Sequence, residues 1–498
     1  MNPRLPPLVL CLAVLAGCGT RVDHAAVVAT PGGSQVSLSP ETLAALRADS
    51  PTTGPAKAGG PRQADGPPTS PPRLTPPHVP TGGRPAVGAG TTAGNRTATP
   101  AAVPARQVAK AQATPPAPAA ESAHGCPRQL DPVAIGQVGM FSGVAGPISG
   151  PARAALAVWA KDVNARGGLA CHPVAVYSAD DGGDPARAAA EVQELVADHH
   201  VVALVANLVL FSINGFAPAA AAAKIPAIGG GSYTMQDFEN RWFYPEGASV
   251  QDQVIGVLRD GVEQGHKRLG ALYCVEATVC TQADEFFKSG AKQAGAEVVY
   301  NSPVSISQPD YTAQCLNARD AKADLLGVAM DGASIGRVAR SCAAIGYRPV
   351  LAASAASFGP DQANDPTIRS FGVATITTEA PWFLDDQPGL RAFHQAIARY
   401  APDLQPSGAA VISWASAELF RTAVENIADR AQRGPITPEL VMTGLGTIHD
   451  QTLGGLTGPL TFTPNEAHAT SNGCVFYELL TDKGWTAPRG SKPVCSHK

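Results

Sequence analysis

The first quarter of the sequence has no aromatic residue. The 498-residue chain contains 14 phenylalanines, 5 tryptophans and 9 tyrosines, and the first of them is Phe141. Residues 1–125 hold 21 of the 45 prolines. A segment with so few large apolar side chains cannot bury enough surface to offset the entropy lost on folding. This composition excludes an ordinary folded domain in residues 1–125, so residues 126–498 must supply the core.

Long hydrophobic runs and an excess of basic charge are also missing. The longest apolar run is Val201–Phe211, which Asn207 interrupts, whereas a membrane-spanning helix needs about 20 apolar residues. The whole chain has a net charge of −4, of which residues 126–498 carry −9. Nucleic-acid binding requires a basic surface. These features argue against a membrane-spanning protein and against a nucleic-acid partner.

The amino terminus has the pattern of an export signal. Arg4 precedes the apolar run Leu8–Leu15, which leads into Leu15-Ala16-Gly17-Cys18. This order is typical of a secretory signal peptide, and the tetrapeptide resembles the bacterial lipoprotein signal, in which the cysteine receives a diacylglyceryl group. We expect residues 1–17 to be removed and Cys18 to anchor the protein to the extracytoplasmic face of the cell membrane. A plain secretory signal, cut elsewhere, is the alternative.

The segment after the expected anchor is predicted to be a disordered tether. Residues 18–125 are rich in Pro, Ala, Gly and Thr. The dimensions of a flexible chain of this length give a reach of roughly 50 to 60 Å, which proline would extend. We therefore expect a folded domain over residues 126–498, held away from the membrane.

The spacing of cysteine and histidine does not suggest a metal site. No C-x-x-C pair or zinc-spaced histidine pair occurs, and we predict neither a metal nor a cofactor. With Cys11 in the signal and Cys18 lipidated, eight cysteines remain. An even number in an exported chain suggests four disulfides, although 105 pairings are possible. The eight are Cys126, Cys171, Cys274, Cys280, Cys315, Cys342, Cys474 and Cys495.

Short apolar strands alternate with amphipathic helices from Val133 onward. Asp184 and Pro185, for example, form the capping residue and first position of a predicted helix. Such alternation predicts an α/β fold with two Rossmann-like lobes and parallel sheets, and a break falls at Tyr244–Val250. It also favours disulfides between consecutive cysteines along the chain. The predicted strands are 133–138, 174–177, 201–205, 225–228, 269–273, 297–300, 325–329 and 350–352.

Ligands of such folds bind outside the carboxyl ends of the strands. The loops at those ends are therefore the candidates for function. They are 141–149, 180–184, 208–214, 229–234, 274–280 and 330–334.

Several motifs resemble the type I periplasmic binding proteins of the branched-chain amino acid (Leu/Ile/Val) receptor family. They are Gly139-Met140-Phe141-Ser142-Gly143, Asn164-Ala165-Arg166-Gly167-Gly168-Leu169, Asp180-Asp181 with Asp184-Pro185, and Gly458-Pro459-Leu460-Thr461-Phe462. The resemblance implies two lobes joined by three crossovers, a ligand trapped by hinge closure, and delivery to the permease subunits of an ABC transporter. It places 127–247 and 378–450 in the first lobe, and 248–377 and 451–495 in the second.

The resemblance also implies a set of ligand-binding residues. Hydroxyls and backbone amides of the first lobe would hold a carboxylate, with Phe141 and Ser142 in the first loop. The other first-lobe candidates are Ser212, Gly231, Ser232 and Tyr233.

The second lobe lacks two residues that amino-acid binders of the family use. No acid occurs in 352–356, and no tyrosine occurs in 274–280. Asp331 is a possible substitute for the acid, or only a helix cap, and Trp382 would stack on the ligand from the hinge.

We expect a monomeric binding protein for a small polar solute resembling an amino acid, amide or carboxylate. Two alternatives remain. A surface receptor or scaffold would use the same fold without transport. A serine hydrolase would use Ser334 in Gly332-Ala333-Ser334-Ile335-Gly336, which fits the G-x-S-x-G pattern, with His394 or His449 as base.

Overall fold

The protein is described by a computed structural model that covers residues 126, 128–231, 234–464, 466 and 471–496. The expected signal, Cys18 and the whole of the expected tether lie outside these described residues. Within them, no helix combines the length and the apolar character needed to cross a bilayer.

The first lobe begins as a parallel sheet with helices on its faces. Its strands run in the order β2-β1-β3-β4-β5. They are β1 (Val133–Gly139), β2 (Val174–Asp180), β3 (Leu204–Val205), β4 (Ala227–Ile228) and β5 (Phe243–Tyr244). The helices between them are α1 (Gly146–Ala165), α2 (Pro185–Ala197), α3 (Ile213–Ala223) and α4 (Gln236–Glu239).

The second lobe continues the alternation of strands and helices. Its parallel strands are β6 (Arg268–Cys274), β7 (Glu297–Val304), β8 (Leu325–Ala329), β9 (Val350–Ser354) and β10 (Val373–Thr377). Its helices are α5 (Val250–Glu263), α6 (Thr278–Ala294), α7 (Thr312–Asp320), α8 (Gly332–Ala344), α9 (Pro360–Asn364) and α10 (Pro366–Phe371).

The chain then returns to the first lobe before it completes the second. The returning helices are α11 (Pro388–Tyr400), α12 (Gly408–Glu425), α13 (Ala428–Ala431) and α14 (Pro438–Leu445). The last strands are β11 (Cys474–Thr481), β12 (Gly484–Thr486) and β13 (Val494–Cys495). Strand β11 pairs antiparallel with β10, so the second sheet reads β12-β11-β10-β9-β8-β6-β7, with β13 on β11.

Helix α12 is the centre of the first-lobe core. It is buried over nearly its whole length, with Trp414 only 1% exposed and packed with Phe393 of α11. Leu453, Leu456, Leu460 and Phe462 belong to the same core cluster. These residues pack in the cluster of α12, although the expected boundary of the first lobe lies at residue 450.

Three segments join the lobes. We name them the first crossover (245–249), the second crossover (378–381) and the third crossover (463–473), the last only partly described. The predicted break at Tyr244–Val250 coincides with the first crossover. The predicted α/β fold with two lobes and parallel sheets is thus confirmed.

Candidate functional site

A cavity of about 190 Å³ lies in the crevice between the lobes. The first lobe lines it with the loops after β1 and β3 and with the starts of α1 and α12. The second lobe lines it with the carboxyl ends of β6, β8 and β9, with β10, and with α5 and α6. This edge is where doubly wound sheets hold ligands. The cavity is therefore the candidate ligand site.

The cavity lining is apolar. Most of its residues are Ala, Val, Ile, Leu, Met or Phe, and within the described part of the chain no Lys, Arg or His lines it. The polar lining residues are Ser149, Gln253, Asp331, Ser354 and Ser357. Burying a polar group costs free energy unless it finds a hydrogen-bond partner. The described lining therefore offers few partners for a charged ligand.

A disulfide forms part of the second-lobe wall. Cys274 at the end of β6 bonds to Cys280 in α6, and both cysteines line the cavity. The bond closes the loop 275–279 beside the cleft. It holds the start of α6 next to the end of β6.

Phe211 connects the lobes across the cleft. It follows β3 in the first lobe, yet its side chain packs against the second-lobe cluster that contains Cys274, Cys280 and Met330. These four residues all line the cavity. The first lobe therefore contributes an aromatic side chain to the opposite wall.

Asp331 is both a helix cap and a lining residue. Its Oδ1 accepts hydrogen bonds from the backbone amides of Ala333 at 2.9 Å and Ser334 at 3.1 Å, and its Oδ2 accepts one from the Ser334 hydroxyl. These bonds satisfy the amino terminus of α8. The carboxylate is the charged group of the lining in the described residues. The capping role is therefore observed, and the ligand contact of Asp331 stays a prediction.

Three of the candidate ligand-binding residues of the first lobe make hydrogen bonds within the protein. The amides of Phe141 and Ser142 donate to Asp180 Oδ1 at 2.9 and 3.2 Å. The buried Ser212 donates its hydroxyl to Asp181 Oδ2 at 2.6 Å. None of Phe141, Ser142 and Ser212 is among the described residues that line the cavity. In this structure their donors serve protein carboxylates.

The glycine run 229–231 meets a glutamate of the first crossover. The amide of Gly230 donates to Glu246 Oε1 at 3.1 Å, and a Cβ at Gly230 would lie 2.1 Å from the Asn207 carbonyl oxygen. Gly231 is buried with φ of 100° and is not among the described lining residues. Ser232 and Tyr233 lie outside the described residues. The glycines thus permit close backbone packing beside the hinge.

Two crossovers each carry a fully buried glutamate. Glu246 Oε1 accepts a hydrogen bond from Ser416 Oγ at 3.0 Å, and Glu379 accepts from the hydroxyls of Thr377 at 3.0 Å and Thr378 at 2.6 Å. Burial, together with the charge of Glu379, raises the pKa of Glu246, and burial raises the pKa of Glu379. Like charges in a dry site favour a proton on one of them.

A third acid lies in the neighbouring strand. Glu478 of β11 is 3% exposed, and burial raises its pKa to about 8. Its only described side-chain partner is Thr375, whose hydroxyl lies 3.5 Å from Oε2. The first two crossovers and β11 thus form an acidic hinge cluster of Glu246, Glu379 and Glu478. Sequence reasoning missed it, because isolated glutamates carry no motif.

Trp382 lies beside the second crossover in an aromatic group. Its ring centroid is 5.4 Å from that of Phe383 and 6.4 Å from that of Trp485. Trp382 is not among the described residues that line the cavity. Its position therefore gives no support to ligand stacking.

Among the described residues, no histidine hydrogen-bonds to the Ser334 hydroxyl. This hydroxyl donates to Asp331 and accepts from Arg337 Nη2 at 2.8 Å, and the residue is fully buried. His394 lies in α11 of the other lobe, where its Nε2 is 3.0 Å from the Leu384 carbonyl oxygen. The G-x-S-x-G segment is accounted for by the capped start of α8.

A second cavity, of about 230 Å³, opens beside Arg241, Tyr244, Phe462 and Asn472. Its described lining comes from the first lobe and the third crossover, so lobe closure would not enclose a ligand there.

Among the described residues, no group of three or more His, Cys, Asp or Glu side chains converges as metal ligands.

The four expected disulfides are present. The bonded pairs are Cys126–Cys171, Cys274–Cys280, Cys315–Cys342 and Cys474–Cys495.

Solved structures of solute-binding proteins share this fold. A branched-chain amino acid ABC transporter protein from Thermus thermophilus with bound valine has a TM-score of 0.64 and 16% identity over 74% of this chain and 97% of its own. A fatty acid ABC transporter substrate-binding protein from Thermomonospora curvata has a TM-score of 0.63 and 19% identity over 74% and 93%. An ABC transporter solute-binding protein from R. palustris in complex with benzoate has a TM-score of 0.59 and 16% identity over 74% and 98%.

Sequence comparison agrees with the fold. No curated protein matches the chain, but a family model described as "Periplasmic binding protein" matches residues 132–484. This match covers both lobes and all three crossovers. The chain therefore belongs to the periplasmic binding protein family, with the type I fold of the branched-chain amino acid receptors.

Proposed function

We propose that this protein is the extracytoplasmic substrate-binding component of an ABC importer. The observation that carries the proposal is the cavity between two lobes that are joined by three crossovers. Closing the lobes around a solute buries it on both sides, and opening them releases it. The ABC transporter proteins with the same fold support this role.

The proposed mechanism involves binding without covalent chemistry. A solute that binds the closed form more tightly than the open form shifts the equilibrium toward closure. Phe211 contributes to this difference, because its contact with the second-lobe cluster exists only when the lobes meet. The closed form would then be the one presented to the permease subunits.

A thermal-shift screen tests solute capture. A ligand at 100 times its dissociation constant stabilises the bound state by about 2.7 kcal/mol, so a true ligand should raise Tm by several degrees. The library would contain amino acids, amides, polyamines, carboxylates, fatty acids and alcohols. The proposal fails if none of these classes raises Tm and the permease does not bind the protein.

Anchoring through Cys18 is part of the proposal. It rests on the sequence Leu15-Ala16-Gly17-Cys18 and on the tether composition that follows. Expression in a bacterial host with labelled palmitate should mark the wild type and leave Cys18→Ser unlabelled. Cys11→Ser is the matched control, since Cys11 lies in the part expected to be removed. Label retained by Cys18→Ser would refute the anchor.

A sensing receptor would use the same cavity without a permease. Pull-down of permease subunits from detergent-solubilised membranes separates the two roles. Recovery of those subunits supports import, whereas recovery of a kinase in their place supports sensing.

A further inference from the structure

The strongest clue to the ligand is the chemistry of the cleft walls. Leu208 and Phe211 in the first lobe face Val328, Ile376 and Phe287 in the second, with the polar lining groups set among them. Apolar surface removed from water stabilises a complex roughly in proportion to its area. The walls therefore recognise a hydrocarbon body.

The charges of the lining residues restrict the polar head group that a ligand can carry. An α-amino acid presents a carboxylate and an ammonium, and each loses hydration on entry. No cationic side chain of the described lining meets the carboxylate, and Asp331 would repel it. Asp331 already accepts three hydrogen bonds from residues of α8. Its carboxylate therefore has little capacity left to accept hydrogen bonds from the ammonium. A hydroxyl or amide needs only one or two hydrogen bonds, which Ser354 or Ser357 can supply.

We infer that the cleft takes an uncharged solute with an aliphatic or aromatic body and one small hydrogen-bonding head group. The inference rests on the proposed function and replaces the polar solute expected from the sequence. Phe211, Val254 and Val328 determine specificity for the body, and Asp331 excludes anions from the head position.

Four probes with six carbons each separate the possibilities. Hexan-1-ol, hexanoate, hexylamine and leucine differ in charge while their carbon content is the same. Calorimetry on the full chain should give the tightest dissociation constant for hexan-1-ol, at least tenfold tighter than for hexanoate or leucine. Across butan-1-ol, pentan-1-ol and hexan-1-ol, affinity should rise about fourfold per methylene, the factor expected for burying one CH₂.

Three variants test the assigned residues. Val254→Asp places a charge in the lining and should weaken hexan-1-ol binding at least tenfold, whereas Val275→Asp, at a 50% exposed valine outside the lining, should leave it unchanged. Asp331→Asn keeps a capping side chain and should lower the ratio of hexan-1-ol affinity to hexanoate affinity about tenfold, because hexanoate alone carries the charge that Asp331 repels. Because Asn also caps well, this variant remains informative if Val254→Asp does not fold.

The outcomes separate this inference from the proposed function. Tighter binding of leucine, hexanoate or hexylamine than of hexan-1-ol would overturn the uncharged class while supporting solute capture. No response to any of the four probes would overturn the substrate class, and permease pull-down would then decide the proposed function. Equal hexan-1-ol affinity in wild type and a folded Val254→Asp variant would refute the assigned cavity.

Discussion

Phe211 shows how one side chain can link ligand capture to lobe closure. Phe211 is partly buried against the opposite lobe, and this burial is worth up to about 2 kcal/mol, since full burial of a phenylalanine gives about 1.5 to 3 kcal/mol. We expect Phe211→Ala to raise the dissociation constant of hexan-1-ol by about tenfold or more, measured by calorimetry. Phe383→Ala is the control, because Phe383 stacks on Trp485 and does not belong to the described lining. Equal losses in both variants would show that Phe211 has no special role.

Asp184 is a residue whose structural role is visible in the sequence. Its carboxylate accepts a hydrogen bond from the Arg187 amide at 2.8 Å, as predicted for a cap before Pro185. We expect Asp184→Ala to lower the free energy of unfolding by about 1 kcal/mol in urea titrations. Asp198→Ala, at the other end of α2, should not destabilise, because a negative charge at a helix carboxyl terminus is unfavourable. A larger loss at Asp198 would contradict this interpretation.

The contrast between Asp184 and Ser212 shows what the sequence can predict. A cap depends on residues within one turn, so local order is enough to identify it. Ser212 has a hydroxyl in a predicted loop. Whether this hydroxyl donates to a ligand or to Asp181 depends on how two loops pack together. Val254 and Phe287 are ordinary apolar residues of helices, and their place in the cavity depends on both lobes. The sequence therefore predicts the fold better than the site.

Among the elements, the crossovers carry the most unusual chemistry. Glu246, Glu379 and Glu478 have raised pKa values in the folded protein. Above pH 4.5, the ordinary pKa of a glutamate, the folded state therefore binds more protons than the unfolded state. The contribution of these three carboxyl groups to the free energy of unfolding is fully present below that pH. It is lost as the pH rises toward about 8. We expect Tm to fall between pH 5 and pH 8.

The variant Glu246→Gln tests the source of this pH dependence. A neutral amide removes one titrating group, so Tm should depend less on pH and rise relative to wild type at pH 8. Glu439→Gln is the control, since Glu439 is an exposed residue in the first turn of α14. An unchanged pH slope in Glu246→Gln would exclude Glu246 as its source.

Strand lengths illustrate where an apolar pattern misleads. The run 201–205 predicts a five-residue strand, but β3 contains only Leu204–Val205. His200 and Ala206 have positive φ values on either side of the run, which limits extended pairing. Val201, Val202 and Ala203 are buried all the same. The Val202 amide also donates to the Ala134 carbonyl oxygen, and the Ala203 carbonyl oxygen accepts from the Gly136 amide, both at 2.9 Å, so the run bonds to β1 beyond the two residues of β3.

At the scale of the whole molecule, the disulfides should differ in their effect. Cys126–Cys171 spans 45 residues and Cys274–Cys280 spans 6. Loop-closure entropy predicts stabilisation of about 4 and about 2 kcal/mol, respectively. Double serine variants of each pair, unfolded in urea, should reproduce this order. The reverse order would show that folded-state contacts outweigh the chain entropy.

The interleaving of the lobes along the chain also sets the order in which they can be completed during synthesis. The first-lobe core needs α12 and residues up to about 462, and the second sheet needs β11, so an emerging chain finishes neither lobe early. Until β11 is made, the outer edge of β10 has no antiparallel partner. Unpaired edges attract strands of other chains. A nascent chain released before residue 474 should therefore aggregate through the exposed edge of β10.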